Sequence, residues 1–139
     1  MQTFLAYGNF DKSAQVLDPS RLGNQAYREG LTLLRGGWPN HPAHKMWMPK
    51  YRRALAEYIL ACFRELTKRG KHYQHHIDEV IRIRDESPDN GNPPWIGNDK
   101  FHASHRSNLL RKKPEWYGKF GWSEPDDLSY CWPTKEGLM

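Results

Sequence analysis

The chain has 139 residues, 37% of them hydrophobic, a mean hydropathy of −0.92 and a formal net charge of +5 with an isoelectric point near 9.3. That length suits one domain burying about two thirds of its unfolded surface, and the basic balance points to a polyanion as partner, nucleic acid ahead of an acidic membrane. No apolar run approaches the roughly 18 residues of a bilayer span, Met1 to Phe10 lack the segments of a signal peptide, and Cys62 and Cys131 alone make neither a disulfide scaffold nor a zinc site, so the expectation is a soluble protein of a reducing cytoplasm with no membrane partner.

In chain order, Phe4, Leu5, Tyr7 and Phe10 would dock the opening segment onto the body, and Lys12 to Leu17 would make a helical turn. Asp18 suits an N-cap and Pro19 a first helical position, so a helix is predicted from there to Leu34, stopped by Gly36 and Gly37. At roughly 100° per residue its wheel puts Leu22, Ala26, Tyr27, Gly30, Leu31, Leu33 and Leu34 on one broad side, and Arg21, Gln25, Arg28 and Thr32 in a narrow polar stripe. Glu29 falls at the seam. Partial burial there raises a carboxylate's pKa and neighbouring guanidinium groups lower it, an opposition frequent at active-site acids. A surface glutamate paired with Gln25 or with a lysine fits the same position.

Trp38 to His41 read as a turn and Pro42 to Trp47 as a short helix closed by Pro49. Lys50 to Arg69 is the candidate central helix, with Tyr51, Leu55, Tyr58, Ile59, Cys62, Phe63 and Leu66 at helical spacing and Gly70 as its stop. Tyr73 to Arg84, with Ile77, Val80 and Ile81, is its antiparallel partner. The breaker-rich Glu86 to Gly97 is a loop pinned by Trp95 and not a domain boundary. Asn98 or Asp99 caps a last helix to about Lys113, which Pro114 ends, and Trp116 to Met139 is an aromatic tail without periodicity. The fold expected is mainly α: a compact single-domain helical bundle over residues 1–139, with an irregular aromatic C-terminal tail from 114 onward packed on it.

Two stretches carry a resemblance. Gln25-Ala26-Tyr27-Arg28-Glu29 resembles the Tyr-Arg-Glu helix of the phage pyrimidine-dimer DNA glycosylases, the UV-repair endonuclease V type. Lys113-Pro114-Glu115-Trp116-Tyr117-Gly118-Lys119-Phe120-Gly121 resembles that family's aromatic tail. The resemblance implies a mostly helical, cofactor-free glycosylase and abasic-site lyase acting on damaged or modified bases in double-stranded DNA, and a monomer is expected. It implies that the N-terminal α-amine attacks the sugar C1′ to form an imine, while the helix Glu stabilises the cationic intermediate and assists proton transfers. Carried to matching positions, Met1 supplies the amine, Glu29 stabilises the charge and Arg28 anchors a phosphate or base. Trp116, Tyr117 and Phe120 form an aromatic wall, with Lys113 and Lys119 on phosphates. Arg21 and Gln25 join by their place on the polar stripe. Tail rings that merely cover the core are an equal reading.

Position 2 departs from the pattern, because the family exposes a small residue there after removal of the initiator and this chain has Gln2. If Met1 stays, its own amine is the nucleophile; if it is lost, Gln2 can cyclise and forfeit the amine. The stretch beyond Gly121 also runs past the point where the family's chains usually end.

Histidines offer a different chemistry. His41 and His44, His72 and His75, and His102 and His105 share a spacing that puts both rings on one helix face, suited to a metal-dependent nuclease or phosphodiesterase. No pair has a nearby acidic ligand in a known signature, and no metal is expected. His102, His105, Arg106 and Arg111, with Ser104 and Ser107, read instead as a DNA-facing surface of the last helix, or as a solvated face. A DNA-binding protein without chemistry is the third reading.

Overall fold

A computed structural model describes residues 2–134, 137 and 138. Asn9 opens the first helix, α1 (Phe10–Val16), its side chain accepting the backbone N–H of Lys12 at 2.9 Å. Next come α2 (Pro19–Gly23), a π-helix (Asn24–Gly30) and α3 (Leu31–Leu34) without interruption. The short α4 (Pro42–Trp47) starts where the His41 ring accepts the N–H of Ala43. Then follow α5 (Arg52–Lys68), α6 (Gln74–Glu86), α7 (Asp99–Lys112), capped by Asn98 on Phe101, and α8 (Pro114–Tyr117). Pro133–Thr134 and Gly137–Leu138 form a two-residue antiparallel pair inside the stretch whose sequence predicts an irregular tail. No helix among the described residues is long and apolar enough to cross a membrane.

The chain is mainly helical, and α5 is its axis. Leu55, Tyr58, Ile59, Cys62, Phe63 and Leu66 are buried, and α1, α6 and the π segment pack around them. Burial of such side chains is worth about 1.5–3 kcal/mol each, which outweighs the middling helix propensity of the surrounding segments. On α6, Val80 and Ile83 are covered, while Ile77 and Ile81 are half-covered. Trp95 is buried edge-on against Trp47, so the Glu86–Gly97 loop is pinned as its composition suggests.

The 19–34 stretch differs from a uniform helix, and the difference changes which side chains face inward. Hydrogen bonding from residue i to i+5 across Asn24–Gly30 widens the turn and breaks the 100° step on which the wheel rests. Gln25, placed on the polar stripe by the wheel, is buried. Tyr27, placed on the apolar side, is exposed and stacks on Tyr73 at 5.1 Å. Gly30 lets α5 come close: a β-carbon there would collide with the Gln25 carbonyl and with Ile59 Cδ1, and would lie 2.9 Å from Ile59 Cγ1. Gly30→Ala is therefore expected to lower stability by about 1–3 kcal/mol, read as a drop in the urea midpoint, although alanine is the better helix former elsewhere.

The opening segment threads inward, and α7 is built to receive it. A segment outside helix and sheet must satisfy its buried backbone groups by side chains. His105 Nδ1 accepts the N–H of Leu5 at 2.9 Å, and His102 Nδ1 donates to the Leu5 carbonyl at 2.8 Å while its Nε2 accepts from Gly97. Arg106 donates to the Ala6 carbonyl at 2.7 Å and pairs with Glu124. This corrects the reading of α7 as a DNA-facing surface. His102, Ser104, His105 and Ser107 are buried, and burial holds both imidazoles below the usual histidine pKa, hence neutral.

Candidate active site

The π segment lays Gln25 and Glu29 side by side and aims both at the start of the chain. Gln25 Nε2 donates to the Gln2 carbonyl at 2.8 Å and to Glu29 Oε2 at 3.0 Å. Its Oε1 accepts the N–H of Phe4 at 2.9 Å and the hydroxyl of Tyr58 at 2.6 Å. A buried amide with all these groups engaged is conformationally locked. It fixes Gln2 and Glu29 relative to each other, with Tyr58 of α5 as the anvil behind. Met1 lies outside the described residues.

These residues open into a polar cavity of about 250 Å³ lined by Gln2, Phe4, Ser20, Arg21, Asn24, Gln25, Glu29 and Lys112. Burial raises the Glu29 pKa above the ordinary carboxylate value, against the backbone N–H of Gln2 and the charges of Arg28 and Lys112, which pull it down. The opposition read from the sequence is present, and desolvation is the larger effect. A larger groove of about 910 Å³, lined by Met46, Met48, Tyr51, Trp95 and Trp132 among others, has no carboxylate in its wall. The smaller cavity brings Glu29 together with the Gln25 amide and the cations Arg21 and Lys112 beside Gln2.

Arg21 is oriented from behind by Asp18, a fully buried carboxylate. Asp18 Oδ1 lies 3.2 Å from Arg21 and accepts the Tyr117 hydroxyl at 2.6 Å, and Lys113 stands 3.8 Å from Oδ2. Burial alone would raise the Asp18 pKa, but the bonds from Tyr117 and Arg21 and the charges of Arg21 and Lys113 together hold it below the usual value. The side chain of Asp18 makes no capping bond to the helix that it precedes. Its partners are tertiary.

The tail is stitched to the body. Trp116 Nε1 donates to the Val16 carbonyl at 2.8 Å, Trp122 Nε1 to Tyr7 at 2.8 Å, and the Tyr130 hydroxyl to the Thr3 carbonyl at 2.6 Å. Tyr117, expected in an aromatic wall, is fully buried, so no face of its ring is open to DNA. Trp116 and Phe120 are half-buried, and the Lys119 ammonium lies 3.8 Å from the Trp116 ring centre. Arg28 is exposed beside the cavity without lining it. Thus Glu29, Gln25 and Arg21 come together, whereas Lys113, Trp116, Lys119 and Phe120 sit apart, beyond Asp18. Sequence reasoning missed Lys112, Asn24 and Tyr58. Lys112 arrives from the far end of α7, and only the fold reveals it.

Two of the three histidine pairs, His41 with His44 and His102 with His105, hold structure together. His41 caps α4 and His44 Nδ1 is 2.9 Å from the Gly37 carbonyl. His72 and His75 are exposed at the α5–α6 turn. Among the described residues no group of three or more His, Cys, Asp or Glu could hold a metal ion.

A sequence model of the family described as pyrimidine dimer DNA glycosylase matches residues 1–79. No curated protein and no solved structure matches the chain significantly. The matched segment contains Gln2, Arg21, Gln25, Arg28, Glu29 and Tyr58, and ends before Lys112 and the aromatic tail. With more than half of its 139 residues matched, and the clamp around Glu29 inside the match, the chain belongs to the pyrimidine dimer DNA glycosylase family.

Proposed function

We propose that the protein removes a damaged pyrimidine from duplex DNA and then cuts the strand, using the amine at the start of the chain as nucleophile and Glu29 as its acid–base partner. The observation that carries this reading is the Gln25 amide, which holds the Gln2 carbonyl and the Glu29 carboxylate at 2.8 and 3.0 Å in one polar cavity. An α-amine has a pKa near 7.7–8, so a useful fraction is unprotonated at neutral pH, whereas a lysine near 10.4 is nearly all ammonium.

In this mechanism the amine nitrogen bonds to the sugar C1′ as the bond from C1′ to the base breaks, and the base departs with a proton. Positive charge develops on the sugar, and a carboxylate held in a partly desolvated site stabilises it without reorganising. The C1′–O4′ bond then breaks, the nitrogen lone pair forms the C1′=N bond, the ring oxygen takes a proton from water, and a protonated imine remains. Glu29 then takes a proton from C2′, the C3′–O bond breaks, the phosphate leaves, and water hydrolyses the imine. Arg21, Lys112 and Arg28 supply positive charge for the flanking phosphates, a salt-dependent contribution.

Borohydride distinguishes this from the other readings. Incubation with a dimer-containing duplex and borohydride is expected to leave a covalent protein–DNA adduct that forms equally in the presence of a chelator. A protein that releases no base and traps no adduct is a binder only, and cleavage lost in chelator without trapping would make it a metal nuclease.

A further inference from the structure

Two cations line the Glu29 cavity without neutralising Glu29. Arg21 donates one N–H to the buried Asp18 carboxylate at 3.2 Å, and Lys113, 3.8 Å from the other Asp18 oxygen, shares in balancing that charge. A guanidinium carries several more N–H donors, and among the described residues those of Arg21 meet no acceptor of the protein. Lys112 comes from the end of α7, with its ammonium 5.9 Å from the Phe4 ring centre, and makes no ion pair among the described residues. Glu29 is hydrogen-bonded by Gln25 instead. Ser20 and Asn24 add neutral polar groups to the same lining. Cations with unused donors in a polar cavity suit an oxyanion.

The elimination step sets one oxyanion apart from the rest. As Glu29 takes the proton from C2′, the C2′–H electron pair becomes the C2′=C3′ bond and the C3′–O pair leaves with the phosphate. That phosphate starts as a diester with a single negative charge and ends as a monoester carrying about −1.5 to −2. Every other phosphate of the strand keeps its charge, so a cation on it tightens binding without favouring the reaction. A cation on the departing phosphate is worth more in the transition state than before it. The leaving oxygen sits on the carbon next to the one that Glu29 deprotonates. Glu29, Arg21 and Lys112 share a cavity of about 250 Å³, room for one sugar and its phosphate and not for a run of nucleotides.

We propose that Lys112 and Arg21 grip the phosphate that departs from C3′ and stabilise the charge it gains, so that they act on strand scission more than on the steps before it. The inference rests on the glycosylase reading above and gives these two cations a catalytic place in its cutting step. Arg21 is held from behind by Asp18, so its charge is in place before the phosphate needs it.

The test uses a duplex with one abasic site, where no base need be released, and protein in excess. Borohydride traps the imine on an intact strand before elimination and on a cut strand after it, and the two adducts separate by size. Lys112→Met removes charge from an exposed side chain and is expected to slow elimination at least about tenfold more than imine formation, so the intact-strand adduct accumulates. Lys112→Arg is expected to restore the parent ratio of the two adducts. A duplex with sulfur in place of the 3′ oxygen, a better leaving group, is expected to shrink the Lys112→Met defect. Arg28→Met, which removes a cation that does not line the cavity, is expected to weaken binding while the ratio stays that of the parent. An unchanged ratio in Lys112→Met overturns the proposal, as does a defect that sulfur leaves just as large. Loss of both adducts in Lys112→Met also overturns it, because Lys112 would then act before elimination. A parent that traps no adduct overturns the glycosylase reading together with the proposal, whereas a parent that traps and cuts leaves that reading standing whatever Lys112 does.

Discussion

Glu29→Gln should lower base release by about 10²–10³-fold, the usual loss when one preorganised charge-stabilising group is removed, while the protein still binds dimer-containing DNA. The amide keeps the size of the side chain and can still accept from Gln25, so the clamp survives and only the charge goes. The pH profile gives a second readout. The proposed mechanism needs both a neutral amine and an ionised Glu29, so log rate should fall with slope one as pH drops below the amine pKa, and with slope two below that of Glu29. Because burial raises the Glu29 pKa, the second break comes at a higher pH than an ordinary carboxylate would give. In Glu29→Gln the residual activity should keep slope one throughout. Stability should move the other way. A carboxylate whose pKa is raised on folding destabilises the fold wherever it is ionised, so Tm at neutral pH should rise in the amide variant and the advantage should vanish at acid pH. Single-turnover rates across pH, with thermal melts alongside, check all three expectations.

Gln25→Ala should cost more in stability than any substitution at the cavity rim. It strands the Phe4 N–H and the Gln2 carbonyl and removes one partner of the buried Tyr58 hydroxyl. At about 1–3 kcal/mol for each of the two stranded groups the loss is roughly 2–6 kcal/mol. The opening segment also loses its tie to Glu29, so kcat per folded molecule should fall at least tenfold. Gln25→Glu separates the two effects. Its carboxylate still accepts from Phe4 and Tyr58, so most stability returns, but it sets a second acid about 3.0 Å from Glu29. Two such groups cannot both ionise easily, and the acid limb of activity should shift to higher pH. Denaturant titrations and single-turnover rates of the two variants, compared at matched folded fractions, would show it.

What the sequence makes legible follows from periodicity and punctuation. The α5 stripe from Leu55 to Leu66, the stops at Gly36 and Gly70 and the capping role of Asn98 all depend on local chemistry, and the structure has them where the pattern puts them. Glu29 stands at the edge of an apolar face, where a paired surface glutamate fits as well, and it is the resemblance of Gln25-Ala26-Tyr27-Arg28-Glu29 to the glycosylase helix that gives it a catalytic role. What stayed hidden depends on distant partners. The π segment arises where Gly30 meets Ile59 of α5, and no wheel drawn at 100° contains it. His102 and His105 look like surface residues until Leu5, about 100 positions away, proves to need their nitrogens. Tyr117 reads as an open stacking ring because its buried partner Asp18 reads as a helix cap. In the last two cases a residue's local preference was real and a tertiary hydrogen bond outweighed it.

Lys112 gives the central claim its sharpest rival, since this residue carries a primary amine and lines the cavity that holds Glu29. Peptide mapping of the borohydride-reduced adduct decides between the two. The account predicts that the sugar remnant is carried by the α-amine of the first peptide, in the Lys112→Arg variant as in the parent. A remnant on the Lys112 ε-amine, or trapping abolished in Lys112→Arg and intact in a protein with its N-terminus acetylated, would contradict it.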